Sequence, residues 1–415
     1  MRIAIIGSGI SGLTCAYLLA RQHQITLFEA DDRIGGHTHT VDVDWQGQRY
    51  GVDTGFIVYN DWTYPNFIRL LDQLGVTSRA TEMSFSVHDP ATGQEYKGHT
   101  LRSLFARRRN LLSPSFWGML QDILRFNRQA TADLKAQRID STTRLGDYLH
   151  VHNYGQRFID HYIVPMGSAI WSMSPAGMLE FPLQFFVRFC HNHGLLSVNR
   201  RPQWRVIEGG SRGYIDPLCA HFRQHIRLNC PVQRVSRDAT GVNILSAAGL
   251  ERFDKVVFAC HSDQALALLE TPSKAEREVL SALAYASNEV LLHTDTGVLP
   301  QRRQAWASWN YRLGGSVRAP AALTYNMNIL QGLDAPVTFC VSLNQSDVVD
   351  PAKVLARFEY AHPQYSLAGV AAQARQGDLQ GRQHSYFCGA YWANGFHEDG
   401  VVSGLDVAGH FGEYL

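Results

Sequence analysis

The chain is 415 residues long and 45% hydrophobic, with 38 Lys and Arg against 37 Asp and Glu, a formal net charge of +1. That balance excludes a global, charge-driven attraction to nucleic acid, and no uninterrupted apolar run is long enough to span a bilayer. The length predicts two interleaved domains around a large core. The seven cysteines, at 15, 190, 219, 230, 260, 340 and 388, show no CxxC pair and no regular spacing. They read as buried thiols in a reducing cytosol, and a cytoplasmic location is expected, with no signal peptide at the start.

The first thirty residues carry the strongest pattern. Arg2 to Gly7 is a short apolar run, read as a buried parallel strand, and Leu13 to Ala20 reads as a helix packed on a sheet. Between them Gly7, Gly9 and Gly12 stand in G-x-G-x-x-G spacing, with Ser8, Ile10 and Ser11. Gly7 makes the tight turn, Gly9 admits a pyrophosphate to the backbone, and Gly12 lets helix and strand pack closely. The helix start offers free N–H groups and a positive dipole end to phosphate. Ile25 to Phe28 is a second strand ending on Glu29, placed to accept hydrogen bonds from a ribose, with Ala30 next to it. Strand, glycines, helix, strand and acid in register predict a dinucleotide-binding unit.

The segment Arg33-Ile34-Gly35-Gly36-His37-Thr38-His39-Thr40 follows. A plain NAD domain has no need of this second glycine pair. Then come Asp53-Thr54-Gly55-Phe56-Ile57-Val58-Tyr59-Asn60, Tyr64-Pro65 and Ser84-Phe85-Ser86-Val87.

Residues 97–138 hold nine cations against Asp122 and Asp133, a local charge of +7. Ser113-Pro114 reads as N-cap and first residue of a helix. Phe116, Trp117, Leu120, Ile123 and Leu124 are expected on one face, and Gln121, Asp122, Arg125, Arg128 and Gln129 on the other. A basic amphipathic helix with Trp and Phe predicts peripheral membrane contact through 102–130 at the inner face of the cytoplasmic membrane. A helix packed on its own domain with a solvated basic face explains the pattern equally well. Phe181 to Phe189 holds four phenylalanines in nine residues, read as core in preference to the lining of an acyl tunnel. The pairs His191/His193 and His221/His225 have chelating spacings but no carboxylate or Cys cluster, so no metal is expected.

Val206 to Ser211 leads into a helix expected from Tyr214 to Gln224. Ile226 to Val235, Val242 to Leu245 and Lys255 to Ala259 read as strands. Near the end, Phe387-Cys388-Gly389-Ala390 precedes Gly395-Phe396-His397-Glu398-Asp399-Gly400 and a final helix.

These motifs resemble the flavin amine oxidase superfamily, which includes amine oxidases, protoporphyrinogen oxidase and carotenoid desaturases. Arg33 to Thr40 is similar to its R-x-G-G-R-x-x-T element, with His37 in place of the second Arg, a titratable group for a permanent cation. The resemblance implies non-covalent FAD, since Cys388 lacks the surroundings of a covalent attachment. It implies a closing Gly-rich loop at Gly389 and His397 to Gly400, a residue packing on adenine at Val232, and a strand ending beside the cofactor at Ala259. The FAD contacts implied by spacing and resemblance together are Gly7, Ser8, Gly9, Ile10, Ser11, Gly12, Glu29, Ala30, Gly35, Gly36, His37, Thr38, Gly55, Phe56, Ile57, Val232, Ala259, Gly389, His397, Glu398, Asp399 and Gly400. The fold class is then α/β: a Rossmann-like FAD-binding domain from 1–60, 203–272 and 384–415, interleaved with an α+β substrate domain from 61–202 and 273–383.

Trp306 to Tyr311 and Thr324 to Asn328 sharpen the resemblance to a bacterial subgroup of predicted NAD/FAD-binding oxidoreductases. That subgroup is linked to desaturation of phospholipid acyl chains on the way to furan fatty acids, alongside lipid methyltransferases. The resemblance implies a lipid or other apolar substrate and a lipid methyltransferase partner. Amine oxidation is the rival activity. Amine oxidases of the superfamily commonly place a lysine near the flavin, yet none of the five lysines (97, 135, 255, 274, 353) lies in the Asn288–His293 strand where it is expected. Removing hydrogen from an unactivated C–H requires a base, and Tyr59, His293, His397 and Glu398 are the candidates. A non-catalytic flavin- and lipid-binding partner of a methyltransferase is the reading from another class.

Overall fold

A computed structural model describes residues 1–98, 100–197 and 201–415. A five-stranded parallel sheet carries the first half of the fold. Its order is 226–227, 24–28, 2–6, 255–258 and 385–387, so the first strand lies at the centre. Ile3, Ala4, Ile5 and Ile6 are buried on both faces, which is why that strand reads as a continuous apolar run. Helix α1 (Ile10–Leu19) follows the glycine turn, and α2 (Pro65–Leu74) buries Phe67, Leu70 and Leu71 in the same core. Thus α2 packs with the parallel sheet although it lies in the 61–202 stretch.

The second half is a seven-stranded sheet ordered 354–363, 285–293, 340–343, 323–326, 309–312, 85–89 and 94–97, covered by helices. Only the pairing of 309–312 with 85–89 is parallel. Helix α3 (Pro114–Lys135) starts where expected, with Ser113 Oγ accepting the Phe116 amide at 3.4 Å. It buries Phe116, Met119, Phe126 and Ala130. Trp117 and Leu124, expected with Phe116 on the apolar face, are exposed. Met119, Phe126 and Ala130 extend the apolar stripe on its far side, and this rotates the buried arc away from Trp117. Helix α4 (Leu183–Asn192) sits in the helical core with Phe181, Phe185, Phe186 and Phe189, packed around Trp171 and Tyr365. Among the described residues no helix is long and apolar enough to cross a membrane.

The last helix, α5 (His397–Gly409), crosses the first. A Cβ on Gly404 would lie 2.6 Å from the Ser11 carbonyl oxygen, so a side chain there would push the two helices apart. The chain's two ends therefore build one wall. The expected strand from Ile226 to Val235 is broken into 226–227 and 232–238, which belong to different sheets. Asn229 turns through a left-handed φ of 51°, and Pro231 has no N–H to donate. The helix expected from Tyr214 to Gln224 is a turn over Ser211–Tyr214 and a short helix over Ile215–Cys219.

Candidate flavin site

The glycine turn is built by contact. Gly7 has φ 105°, and a Cβ there would sit 2.9 Å from the Ala259 oxygen. A Cβ on Gly12 would lie 2.1 Å from the Gly7 oxygen and 3.0 Å from the Ala259 methyl, so strand and helix meet there without a side chain between them. Gly9 begins α1, no side chain caps the first amides, and nothing lies within 4 Å of its missing Cβ. The second pair abuts the first, because a Cβ on Gly36 would be 3.1 Å from Gly9 Cα. The Gly35 amide donates to Ser8 O and Oγ at 3.1 Å. Glu29 ties this loop down. Its Oε2 accepts the Ser8 amide at 2.8 Å and the Ser8 hydroxyl, and Oε1 accepts the Asp31 amide at 3.0 Å. Ala30 is exposed beside it. The Cys230 amide donates to the Glu29 carbonyl at 2.8 Å, which starts the strand of half-buried Val232 next to the acid.

A buried node missed in the sequence holds the second turn. The Asp53 carboxylate accepts the Ser211 amide at 2.9 and 3.0 Å, the Ser211 hydroxyl at 2.9 Å and the Thr40 hydroxyl. Burial pushes its acid up to about 6. The available signal was an acid closing a half-buried strand just before Thr54-Gly55. From this node the chain returns past His37, whose carbonyl accepts the Phe56 amide at 2.7 Å. A Cβ on Gly55 would stand 2.2 Å from that oxygen.

The His37 ring has a buried Nε2 without a partner among the described residues. Its centroid is 5.4 Å from His362 and from Tyr360, and 6.1 Å from His261. Burial and then the imidazoles of His362, His261 and His397 hold its pKa well below the usual range. An anion beside these rings would restore their protons. The uncapped helix start, the bare Gly9, the orphan imidazole nitrogen and the ribose-type acid thus fit the diphosphate and ribose of FAD.

The closing loop assigns different work to its three polar residues. Asp399 caps its own helix, accepting the Phe396 amide at 2.9 Å and Asn394 Nδ2 at 3.3 Å, and burial pushes its acid up to about 6. Glu398 caps α2: Oε1 accepts the Asn66 amide at 3.0 Å and Asn66 Nδ2 at 2.7 Å, and Oε2 accepts the Phe67 amide at 2.8 Å. His397 Nε2 lies 3.0 Å from Thr38 Oγ1 and 3.1 Å from Tyr214 Oη, and burial lowers its pKa to about 3. Tyr214 carried no signal in the sequence, since its partners are 176 and 183 residues away. Gly400 lies against Ile10, and the Gly389 amide donates to Ser403 Oγ at 3.0 Å.

Of the four candidate bases, His397 and Glu398 stand side by side on the closing loop. Tyr59 packs edge-on against Phe67 and donates its hydroxyl to Ser78 Oγ at 2.6 Å, while Ile57 is buried in another core. His293 lies elsewhere. Its Nε2 is 2.8 Å from Ser342 Oγ, and its Nδ1 accepts the Asp295 amide at 3.0 Å. It ends the strand that begins at Tyr285, whose ring stacks on His261, so eight residues, roughly 26 Å, separate it from that region. Both ring nitrogens of His293 are engaged in internal hydrogen bonds.

A cleft of ≈ 450 Å³ opens where the α2 start, the end of α4 and the 394–399 loop meet, and Trp62, Tyr64, His193, Phe396, Glu398 and Asp399 line it. Phe189 stacks on both His193 and Phe396, two of these lining residues. No lysine lines it: Lys97, Lys255, Lys274 and Lys353 pair with Glu82, His384, Glu278 and Asp295 elsewhere, and Lys135 is exposed. Among the described residues no group of three His, Cys, Asp or Glu is placed to hold a metal.

A dinucleotide-binding sheet closed by its own C-terminal helix, beside a second sheet with a helical cover, defines a two-part flavoprotein fold. The flavin-containing amine oxidoreductase model matches residues 10–319, and the chain belongs to that family; it is a flavin-dependent oxidoreductase. It is 22% identical over 351 residues, 79% of this chain and 70% of the relative, to AofH of Mycobacterium tuberculosis, named as a flavin-containing monoamine oxidase. The match to an L-amino acid oxidase of Cerastes cerastes is 45% over 47 residues, only 11% of this chain and 9% of the relative. The fold is shared with cyclohexylamine oxidase from Brevibacterium oxydans (TM-score 0.68, 16% identity, 99% and 98% covered). It is shared equally with a CLA-producing fatty acid isomerase from P. acnes (TM-score 0.68, 15% identity, 99% and 98% covered).

Proposed function

We propose that the protein binds FAD non-covalently and desaturates an acyl chain of a fatty acid or membrane phospholipid. The observation that carries this is the cleft, lined by the rings of Trp62, Tyr64, His193 and Phe396, the last two braced by Phe189, and lined by no lysine. A protein of the same fold that is named as a fatty acid isomerase, from P. acnes, supports it. Bound FAD supplies a two-electron acceptor for hydride. Gly7, Gly9, Glu29, Gly36 and His37 would hold it. The aromatic wall excludes water and orients the chain. The second hydrogen leaves as a proton, and Asp399, with its acid near 6, is the cleft group best matched to accept it near neutral pH. Neutral His397, with a pKa near 3, is a weak base and acts by position.

Oxidation of a small amine is the second reading. Glu398 and Asp399 at an aromatic cleft favour it, because carboxylates and ring faces both attract an ammonium ion. Anaerobic mixing of the yellow holoprotein with unsaturated phospholipid, then with primary and polyamines, tests both. Bleaching by lipid with a new C=C in the product is expected. Bleaching by amines alone overturns the desaturase reading, and bleaching by neither favours a non-catalytic lipid-binding role beside a methyltransferase.

A further inference from the structure

The structure places an apolar knob inside a field of unpaired cations, far in sequence from the flavin site. Four of the twelve exposed large hydrophobic residues fall within 14 positions: Leu111 (48% exposed), Leu112 (87%), Trp117 (45%) and Leu124 (58%). An even scatter along the chain would leave fewer than one there. The knob is built, since Trp117 Nε1 donates to the Leu111 carbonyl at 2.9 Å and pins the turn over Arg108–Leu112 to the first turn of α3. Nearby, Arg107 Nη1 donates to the Thr92 carbonyl at 2.7 Å.

Along α3 the outward stripe is Trp117, Gln121, Leu124 and Arg128, all exposed. Spacings of four, seven and eleven residues put them within an arc of roughly 60° at 3.6 residues per turn. Arg128 lies on this arc and Arg108 and Arg109 in the turn that Trp117 pins to it, all three exposed and without a carboxylate partner among the described residues. The two acids of the segment are taken. Asp122 pairs with Arg125 and accepts the Gly155 amide, and Asp133 pairs with Arg138 and accepts the Tyr148 hydroxyl. Large apolar side chains ringed by free guanidinium groups match one chemistry: an interface with hydrocarbon below and anionic headgroups at its level. A nucleic acid would use the cations and leave Leu111 and Leu112 in water.

We propose that this face docks on an anionic lipid bilayer, with Leu111, Leu112, Trp117 and Leu124 entering the interface and the arginines meeting headgroup phosphates. The inference stands independently of the acyl-chain reading, since docking is measured without turnover.

The test is flotation of the intact protein with vesicles of phosphatidylcholine alone or with 30% phosphatidylglycerol. Binding to the anionic vesicles and its decline with salt are expected. Arg108, Arg109 and Arg128 changed together to Gln should weaken it about 100-fold at low salt, since each cation at such a surface is worth about five-fold. Leu111→Ser with Leu112→Ser should weaken it at least ten-fold and also reduce the binding that survives at high salt. Melting temperature and bound flavin should be unaltered in both variants, which separates lost docking from lost folding. Equal binding to neutral and anionic vesicles, or wild-type binding by either variant, overturns the proposal. Loss in the arginine variant alone, with the leucine variant unaffected, marks a polyanion site and overturns it too.

Discussion

The ring of Phe56 lies flat on that of His397, with centroids 3.4 Å apart and planes 8° from parallel. Phe56 follows the turn that His37 anchors, and His397 opens the last helix. The stack therefore joins the glycine-pair loop to the closing loop, and Thr38 and Tyr214 fix the imidazole through its Nε2. This is a clamp across the two ends of the dinucleotide fold.

His397→Leu should cost about 2 kcal/mol, the sum of a buried hydrogen bond and an aromatic contact. It should also lower flavin content after purification, because both loops it joins adjoin the cofactor. Denaturant unfolding and the ratio of flavin to protein absorbance read the two effects. Wild-type stability would mean that the clamp carries no load.

Glu398→Ala should destabilise by about 2–4 kcal/mol, because the first turn of α2 loses its acceptors in a buried setting. Glu398→Gln should recover part of this through its remaining carbonyl oxygen. If Glu398 instead takes a proton in the reaction, both variants lose turnover while their unfolding curves match the wild type.

Glu29→Ala removes a charged acceptor and frees the Ser8 loop that it holds. A loss of roughly 1.5–3 kcal/mol in FAD binding is expected, a ten- to 150-fold rise in Kd. Titration of apoprotein by flavin fluorescence quenching measures it. An unchanged Kd would remove Glu29 from the site.

FAD should leave the chain on denaturation. Cys388 is buried, and burial pushes its thiol well above the usual range, so no thiolate is available there for attachment. Acid precipitation should give a colourless pellet and a yellow supernatant, and a yellow pellet would refute this.

Stability should fall as pH drops from 6.5 toward 4.5. His88, His193 and His293 are lowered to about 4, and His397 to about 3, chiefly by burial. In that window the unfolded chain takes up protons at these positions and the native state does not, so acid favours unfolding. Asp53 and Asp399, raised to about 6, act in the opposite sense by binding protons in the native state. His39 and His362, also lowered to about 4, add to these four, so the lowered histidines outnumber the two raised carboxyls and stability should fall by roughly 2 kcal/mol or more per pH unit near pH 5. Chemical unfolding at pH 7, 6 and 5 measures it, and a flat profile would contradict the buried, neutral state of these rings.

The flavin frame was legible in the chain because its signals are local. Gly7, Gly9 and Gly12 lie within six positions, Glu29 closes the next strand, and apolar periodicity marks the elements between them. What each polar residue does was decided by contacts between distant segments. Glu398 reads as a base until α2 places its amides on it from 332 positions away, and His397 gains its function from Thr38, 359 positions back. His293 looks equally apt in a strand until that strand's length carries it to the far end. Which side of α3 faces the core depended on what packs against it, because periodicity marks an apolar arc without saying how wide the neighbours make it. Local spacing determined the cofactor fold of this protein. Only tertiary packing decided which acids and imidazoles face the cleft, because burial and hydrogen-bond partners come from residues hundreds of positions apart.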